Sequence, residues 1–216
     1  MTQGMSGGLT ANSLTGRAIG MIFFAAFGAG WIVMGLYGAG QLGVVPVLMV
    51  AACTMVLLAG AAYLSREAER FPLVAKDPKQ GRIFAWVNLV QWIAVGVVAV
   101  SFARLHLDNY VVNAITAIVG LHMLPLARLF RYTPHYVSGV AMVVWAVASM
   151  WLAPAESLQS VTAIGTGLLL WLSAAATLGL AMARVRRAPV EMACQVCEAS
   201  WRQDWDSLPA LAARVA

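Results

Sequence analysis

The sequence predicts an all-α membrane protein, a bundle of six transmembrane helices in three antiparallel hairpins, followed by an amphipathic helix at the membrane surface. Hydrophobic residues make up 61% of the 216 residues and charged residues only 11%, whereas a soluble domain carries about 25% charged residues. The charged residues are also clustered, and they leave apolar runs that approach or exceed the roughly 20 residues of a membrane crossing. Lipid is therefore the solvent that this composition fits.

The first 65 residues predict a tail followed by two spans. Residues 1–16 are rich in Gly, Ser and Thr, which is typical of a disordered segment. Residues 18–65 carry no charge and would form about 72 Å of helix, more than twice the thickness of the bilayer core. This stretch must therefore fold back once, and the glycine-rich residues 38–43 are the predicted turn.

The remaining charge-free runs supply four more spans. The fourth is the weakest, because it contains Asn113, His122 and Pro125. We place the spans at about 19–37, 44–64, 83–103, 110–127, 136–152 and 161–183. The chain then divides into the tail 1–16, a six-span membrane domain 17–187 and a cytoplasmic amphipathic segment 188–216.

The distribution of Lys and Arg predicts the orientation. With the N-terminus inside, every Lys and Arg except Arg104 falls on the inner side, as the positive-inside rule expects. No basic segment precedes the first span, so a cleavable signal peptide is not predicted. We expect a bacterial-type inner (cytoplasmic) membrane, with both termini in the cytoplasm.

The net charge of +5 predicts contact with the lipid bilayer and not with nucleic acid. The basic residues flank the apolar runs, where they anchor helices to lipid head groups.

Polar residues inside the spans are the first candidates for a functional site, because burying them in lipid is costly. Asn88, Gln91 and Trp92 share one face of the third span, and His122 lies at a similar depth in the fourth. We expect a polar pocket open to the cytoplasm, in which His122 binds a ligand or carries a proton. The alternative is a hydrogen-bonded clamp between helices.

Arg104 and Asp108 form a candidate pair at the outer face. Their i, i+4 spacing allows an ion pair if the third helix extends that far. The alternative is that Arg104 meets an anionic solute. A metal site at the neighbouring His106 is not expected, because metal sites use three or four ligands.

The C-terminal segment contains a C-x-x-C pair, Cys194 and Cys197. These cysteines belong to a longer stripe at helical spacing, which predicts an amphipathic helix at the inner surface that ends at Pro209. The stripe consists of Cys194, Cys197, Trp201, Trp205 and Leu208. Packing thiols are the simpler interpretation, while a metal or redox site shared between two chains stays open as a weak alternative.

The sequence predicts no cofactor. Two axial histidines for a haem should meet at the same depth, but His122 and His135 differ by roughly 9 Å along the membrane normal. The predicted spans contain no acidic residue, which disfavours a proton antiporter driven by carboxylates.

Three classes of function fit these features. A small-solute transporter or channel subunit is preferred because of the polar pocket. A scaffold or accessory subunit, recruiting a partner through residues 66–82 or the C-terminal tail, is the alternative, since no complete catalytic set is evident. A membrane enzyme or redox protein is least favoured and would require a reactive His122 or reactive tail cysteines. A homo-oligomer and a protein partner at the cytoplasmic face both stay open.

Overall fold

The computed structural model describes residues 10–71, 73, 78–130 and 132–215, with side chains up to residue 187, Pro78 excepted. Every regular element that these residues form is a helix, which confirms the predicted all-α class. The helices are α1 (Ala11–Gly38), α2 (Val44–Ala68), α3 (Pro78–Arg104), α4 (Val111–Phe130), α5 (Thr133–Leu152) and α6 (Leu158–Val215), with a 3₁₀ turn (Asp108–Tyr110) before α4.

Six of the helical segments are long and apolar enough to cross a membrane, and they coincide with the six predicted spans. This composition and length indicate a multi-pass membrane protein. The fourth segment, the weakest by sequence, runs from the 3₁₀ turn through α4. Its internal Pro125 lies within the helix.

The first helix begins earlier than its hydrophobicity indicates. Residues 11–16, which we expected in the tail, are helical because Thr10 and Ser13 form a capping box. The Ser13 amide donates to Thr10 Oγ1 at 3.3 Å and the Thr10 amide donates to Ser13 Oγ at 3.4 Å. These bonds satisfy N–H groups that the first turn of a helix leaves without partners.

The break between α1 and α2 lies where the sequence predicts it. The chain leaves α1 at Gly38 and enters α2 at Val44. Gly40 has a φ of 67°, a left-handed conformation that glycine adopts without the steric penalty of a Cβ atom.

The sixth helix organises the bundle. It contacts α1, α2, α4 and α5, whereas α3 contacts α4 but no other long helix among the described residues. The apolar side chains of α3 are largely exposed, with Trp86 at 64% and Trp92 at 60%. The third helix therefore lies at the edge of the bundle, with most of its surface available to lipid.

Glycines set the closest helix contacts. A Cβ atom built on Gly167 of α6 would lie 2.5 Å from the Gly28 carbonyl oxygen of α1, and one on Gly120 of α4 would lie 2.7 Å from the Gly139 carbonyl oxygen of α5. Without a Cβ, the two backbones of each pair approach closely, as small residues allow in membrane bundles.

The C-terminal segment is a continuation of α6 and not a separate helix. The helix runs without interruption to Val215 and includes Pro209, where we expected it to end. A proline removes one backbone hydrogen bond and often kinks a helix, but here the helix continues. The predicted stripe around Cys194 and Cys197 lies outside the described side chains.

Candidate functional site

The four residues of the predicted polar pocket do not form one hydrogen-bonded group in the structure. Those on α3 are exposed or half-buried, whereas the ring nitrogens of His122 are buried. On α3, the Asn88 amide nitrogen donates to the Phe84 carbonyl of its own helix at 2.8 Å, and Trp92 points outward with 60% of its surface exposed. Gln91 is half-buried. It makes no hydrogen bond to His122, because both ring nitrogens of that histidine lack a partner.

His122 is the predicted residue with unmet hydrogen-bonding capacity. Its Nδ1 and Nε2 atoms are both buried without a hydrogen-bond partner. The Val119 backbone, one turn earlier, interacts with the imidazole but does not complete a hydrogen bond. A buried polar group left unpaired costs about 1–3 kcal/mol, and native proteins normally satisfy such groups. His122 is thus ready to accept or donate a bond.

Pro125 adds a polar backbone atom close to this histidine. Proline has no amide hydrogen, so Pro125 within α4 leaves the Leu121 carbonyl without its usual helical donor. In lipid such a carbonyl needs another partner. The Leu121 carbonyl, one residue before His122, is therefore a further hydrogen-bond acceptor at this point of α4.

Further polar and aromatic side chains lie near His122. We call Arg17, His122, Tyr132 and His135 the Arg17 cluster. The Arg17 Cζ atom lies 5.2 Å from the centre of the Tyr132 ring. The His135 ring meets the same tyrosine edge to face, with centroids 4.9 Å apart. His122 and His135 are close enough to interact electrostatically.

Tyr132 holds this cluster at the meeting point of four helices. It lies between α4 and α5 with 7% of its surface exposed. Its amide donates to the Ala127 carbonyl at 3.0 Å, and its hydroxyl donates to Thr177 Oγ1 of α6 at 3.2 Å. The tyrosine ring is thus fixed beneath Arg17 of α1, in a geometry that supports a cation–π interaction of about 0.5–2 kcal/mol.

Among the described side chains, no carboxylate forms an ion pair with Arg17. Its Nη1 atom is buried without a hydrogen-bond partner, and the nearby Arg184 repels it. Elsewhere in the bundle, Arg70 forms an ion pair with Glu67 at 3.0 Å. A buried charge without a partner is destabilising, because nothing compensates for the water it has lost. With Arg17 and Arg184 near each other and Nη1 unpaired, the cluster carries a local excess of positive charge.

A second polar group connects α4, α5 and α6 away from this cluster. Asn113 donates to Ser149 Oγ at 2.8 Å and to the Ala146 carbonyl at 2.9 Å. Thr162 donates to Ser149 Oγ at 3.0 Å. This network makes interhelical hydrogen bonds, so it acts as a clamp of the kind that the sequence raised as an alternative for His122.

The expected outer pair does not form an ion pair in the described structure. Helix α3 ends at Arg104, and His106 adopts a left-handed φ of 56°. The helical i, i+4 geometry is therefore absent. Arg104 and Asp108 are both exposed, and the Asp108 carbonyl accepts a bond from Gln159 Nε2 at 2.9 Å.

Metal binding has no support within the part of the chain whose side chains are described. No group of three or more His, Cys, Asp or Glu residues is arranged there to hold an ion, and Cys53 is an exposed free thiol. Cys194 and Cys197 lie outside that part, and their proposed metal or redox role stays a prediction.

Three members of the Arg17 cluster were not predicted as site residues. Arg17 and Tyr132 resemble ordinary interfacial anchors in the sequence, and the predicted spans place His135 at a different depth from His122. The available signal was the i, i+3 spacing of Tyr132 and His135, which brings both to one side of the start of α5. Their contact with Arg17 depends on the packing of α1, which the local pattern does not encode.

Comparisons of the chain with known protein families, with curated proteins and with solved structures give no match. The geometry of the cluster is therefore the basis for inferring function.

Proposed function

We propose that the protein is a small-solute transporter or channel subunit of a bacterial-type inner membrane, with His122 at the inner end of its path. In this arrangement both termini are cytoplasmic and the six spans form three antiparallel hairpins. The observation that carries the proposal is the buried imidazole of His122, whose two nitrogens have no hydrogen-bond partner.

The contacts between helices support the proposed hairpins. Each consecutive pair, α1 with α2, α3 with α4 and α5 with α6, is in contact. With the N-terminus inside, six crossings return the chain to the inner side, where almost all of its basic residues then lie.

The chemistry of His122 suits a polar solute. A neutral imidazole offers one donor and one acceptor, so it can exchange bonds with a solute that passes. The close glycine contacts hold α1 to α6 and α4 to α5, whereas α3 packs on α4 alone among the long helices described. Movement of α3 would disturb the fewest contacts, and we expect it to open the path towards His122.

Solute flux through purified protein in liposomes tests this function. Proteoliposomes are diluted into isotonic glycerol, or into isotonic potassium phosphate with valinomycin so that K⁺ can accompany the anion, and swelling is followed by light scattering. We expect swelling above that of empty liposomes for one of these solutes, and a loss of about tenfold or more in His122→Leu, because leucine offers no hydrogen bond.

The matched control is His106→Asn. It removes the exposed imidazole of the link between α3 and α4, far along the chain from His122, and it introduces a residue type that tolerates the left-handed φ of 56°. We expect its flux to equal that of the unaltered protein. Flux that is absent with both solutes, or that is unchanged in His122→Leu, would contradict the proposed function.

The accessory-subunit alternative is favoured by one specific feature, the extension of α6. The helix continues from residue 188 to Val215, a length on the order of 40 Å, which suits a docking arm for a cytoplasmic partner. A chain truncated after Arg187 separates the two functions. A transporter keeps its flux without the extension, whereas an accessory subunit shows no flux in either form and loses its partner on truncation.

A further inference from the structure

We propose that the Arg17 cluster is a binding site for a phosphate group, supplied either by an anionic phospholipid head group or by free inorganic phosphate. The inference deepens the proposed function by naming an anion as the ligand class. Binding at this site can nevertheless be measured without transport, so the two proposals can fail separately.

The unpaired Nη1 atom of Arg17 is the first observation. Arginine carries five N–H donors in a planar fork, and the Tyr132 ring, whose centre lies 5.2 Å from Arg17 Cζ, offers a face for cation–π contact. The buried Nη1 atom still lacks a partner. An oxyanion is the ligand that a guanidinium fork matches, because two parallel N–H donors can bind two of its oxygens.

The second observation is the supply of donors around Arg17. His135 packs against the same tyrosine ring, and His122 lies within electrostatic range of His135. Each neutral imidazole has one N–H, and both ring nitrogens of His122 are free. The Tyr132 hydroxyl already donates to Thr177 Oγ1, so the donors that remain for a phosphate oxygen are the free Nη1 of Arg17 and the imidazole N–H groups.

The third observation is the sign of the local charge. Arg184 adds a second positive charge near Arg17. Among the described side chains, the carboxylate in an ion pair is Glu67, and it binds Arg70. A cation would be repelled from this cluster, whereas an anion would relieve both the repulsion and the unpaired donor.

The position of Arg17 also fits a phosphate. It lies in the second turn of α1, near the end of the first span, which is the depth of the inner head groups in the proposed orientation. Basic pockets between helices on the cytoplasmic side are a known way to bind acidic lipids. The ring contact with Tyr132 holds the guanidinium in one orientation.

Binding to the full-length, delipidated protein in detergent tests the site. Inorganic phosphate is titrated by calorimetry, and the retention of phosphatidylglycerol relative to phosphatidylcholine is measured by native mass spectrometry. We expect Arg17→Gln to weaken the binding of the active probe by about tenfold or more, since it removes a charge-assisted bond. Arg104→Gln, which removes an exposed arginine elsewhere, should change it less than about twofold.

A labelling experiment on the unaltered protein covers the case in which Arg17→Gln does not fold. Phenylglyoxal modifies accessible arginines, and its products are located by peptide mass spectrometry. Either inorganic phosphate or phosphatidylglycerol should protect Arg17 and leave Arg104 reactive. Protection by phosphate identifies a free anion, and protection by the lipid identifies a head group; either result supports the site.

The site is overturned if neither probe binds, if Arg17→Gln binds as tightly as the unaltered protein, or if neither probe protects Arg17. Water alone would then satisfy the guanidinium. Anion binding without flux would leave this site intact and reject the transport proposal, while glycerol flux without anion binding would do the reverse.

Discussion

Asn113 and His122 show how one helix carries a polar residue that is bonded to a neighbouring helix and one that is not; the Asn113 amide nitrogen donates across to α5, although its Oδ1 atom is buried without a partner. The sequence places Asn113, Thr116 and Gly120 on the face of the fourth span opposite His122, which predicts a central helix. In the structure, the Asn113 amide binds α5, and Thr116 shares a 2.9 Å hydrogen bond with Thr166 of α6. His122 has no comparable bond. Asn113 therefore clamps α4 to α5, whereas His122 makes no bond between helices.

Removing the Asn113 side chain should destabilise the bundle. We expect Asn113→Ala to lower the free energy of unfolding by about 1–2 kcal/mol, because two buried interhelical bonds are lost. Denaturation by sodium dodecyl sulfate in mixed micelles, followed by circular dichroism, measures this change. Asn88→Ala is the control, since Asn88 bonds only to its own helix at an exposed position, and its effect should stay below about 0.5 kcal/mol. Equal losses in both variants would contradict the clamp.

For single residues, the sequence shows which polar side chains are unusual, but it does not show which side chains they contact. His122 could be selected because an ionisable side chain within an apolar run is exceptional. Arg17 could not, since a basic residue at the end of a span is the usual anchor. Its contact with Tyr132 joins residues more than a hundred positions apart, and helical periodicity does not specify which helices become neighbours.

At the scale of elements, the bundle depends on close backbone contacts between particular helices. Gly28 and Gly167 join α1 to α6, and Gly120 and Gly139 join α4 to α5. The Trp171 indole supports the first contact by donating to the Ala25 carbonyl at 3.1 Å. These contacts leave no space for a methyl group, whereas Gly96 on the peripheral α3 has no atom within 4 Å of a Cβ position.

A methyl group should therefore have opposite effects at two glycines. In Gly167→Ala the new Cβ would lie 2.5 Å from both the Gly28 carbonyl oxygen and Ile32 Cγ1, so we expect a loss of about 1–3 kcal/mol in the free energy of unfolding. Gly96→Ala should be neutral, or stabilising by up to about 1 kcal/mol, because alanine favours helix. The same denaturation assay compares them. A loss in Gly96→Ala that matches Gly167→Ala would contradict the packing.

The sequence predicts where the six spanning helices lie better than it predicts the residues at which they begin and end. Long apolar runs predict all six spanning helices, since only a helix satisfies its backbone in lipid. Helix α1 begins at Ala11, earlier than the apolar run predicts, because a capping box and not hydrophobicity sets its first residue. The sequence divides the chain at residue 187 into a span and a separate amphipathic helix, whereas α6 runs without a break to Val215.

On the scale of the whole molecule, the structure has a packed group of helices and one peripheral helix. Helix α6 contacts four others, and α3 contacts one long helix among the described residues. Composition predicts the membrane character but not which helices become neighbours, because any of several packings would bury the same small residues. The Arg17 cluster arises from the actual packing, where α1 and α6 meet the link between α4 and α5.

The most direct test of the account is the accessibility of position 122 from the inner side of the membrane. A single cysteine is placed there in a background in which Cys53, Cys194 and Cys197 are serine. Inside-out vesicles are then treated with a membrane-impermeant maleimide. Gln80→Cys, at the exposed start of α3, is the positive control, and Leu121→Cys, which has the exposed surface expected of a lipid-facing residue, is the negative control.

The account predicts that the cysteine at position 122 is labelled, as at position 80, while that at position 121 is not. Water would then reach His122, as the proposed solute path requires. A cysteine at position 122 that stays unlabelled while position 80 reacts would mean a dry, packed histidine, and would contradict the proposed solute path.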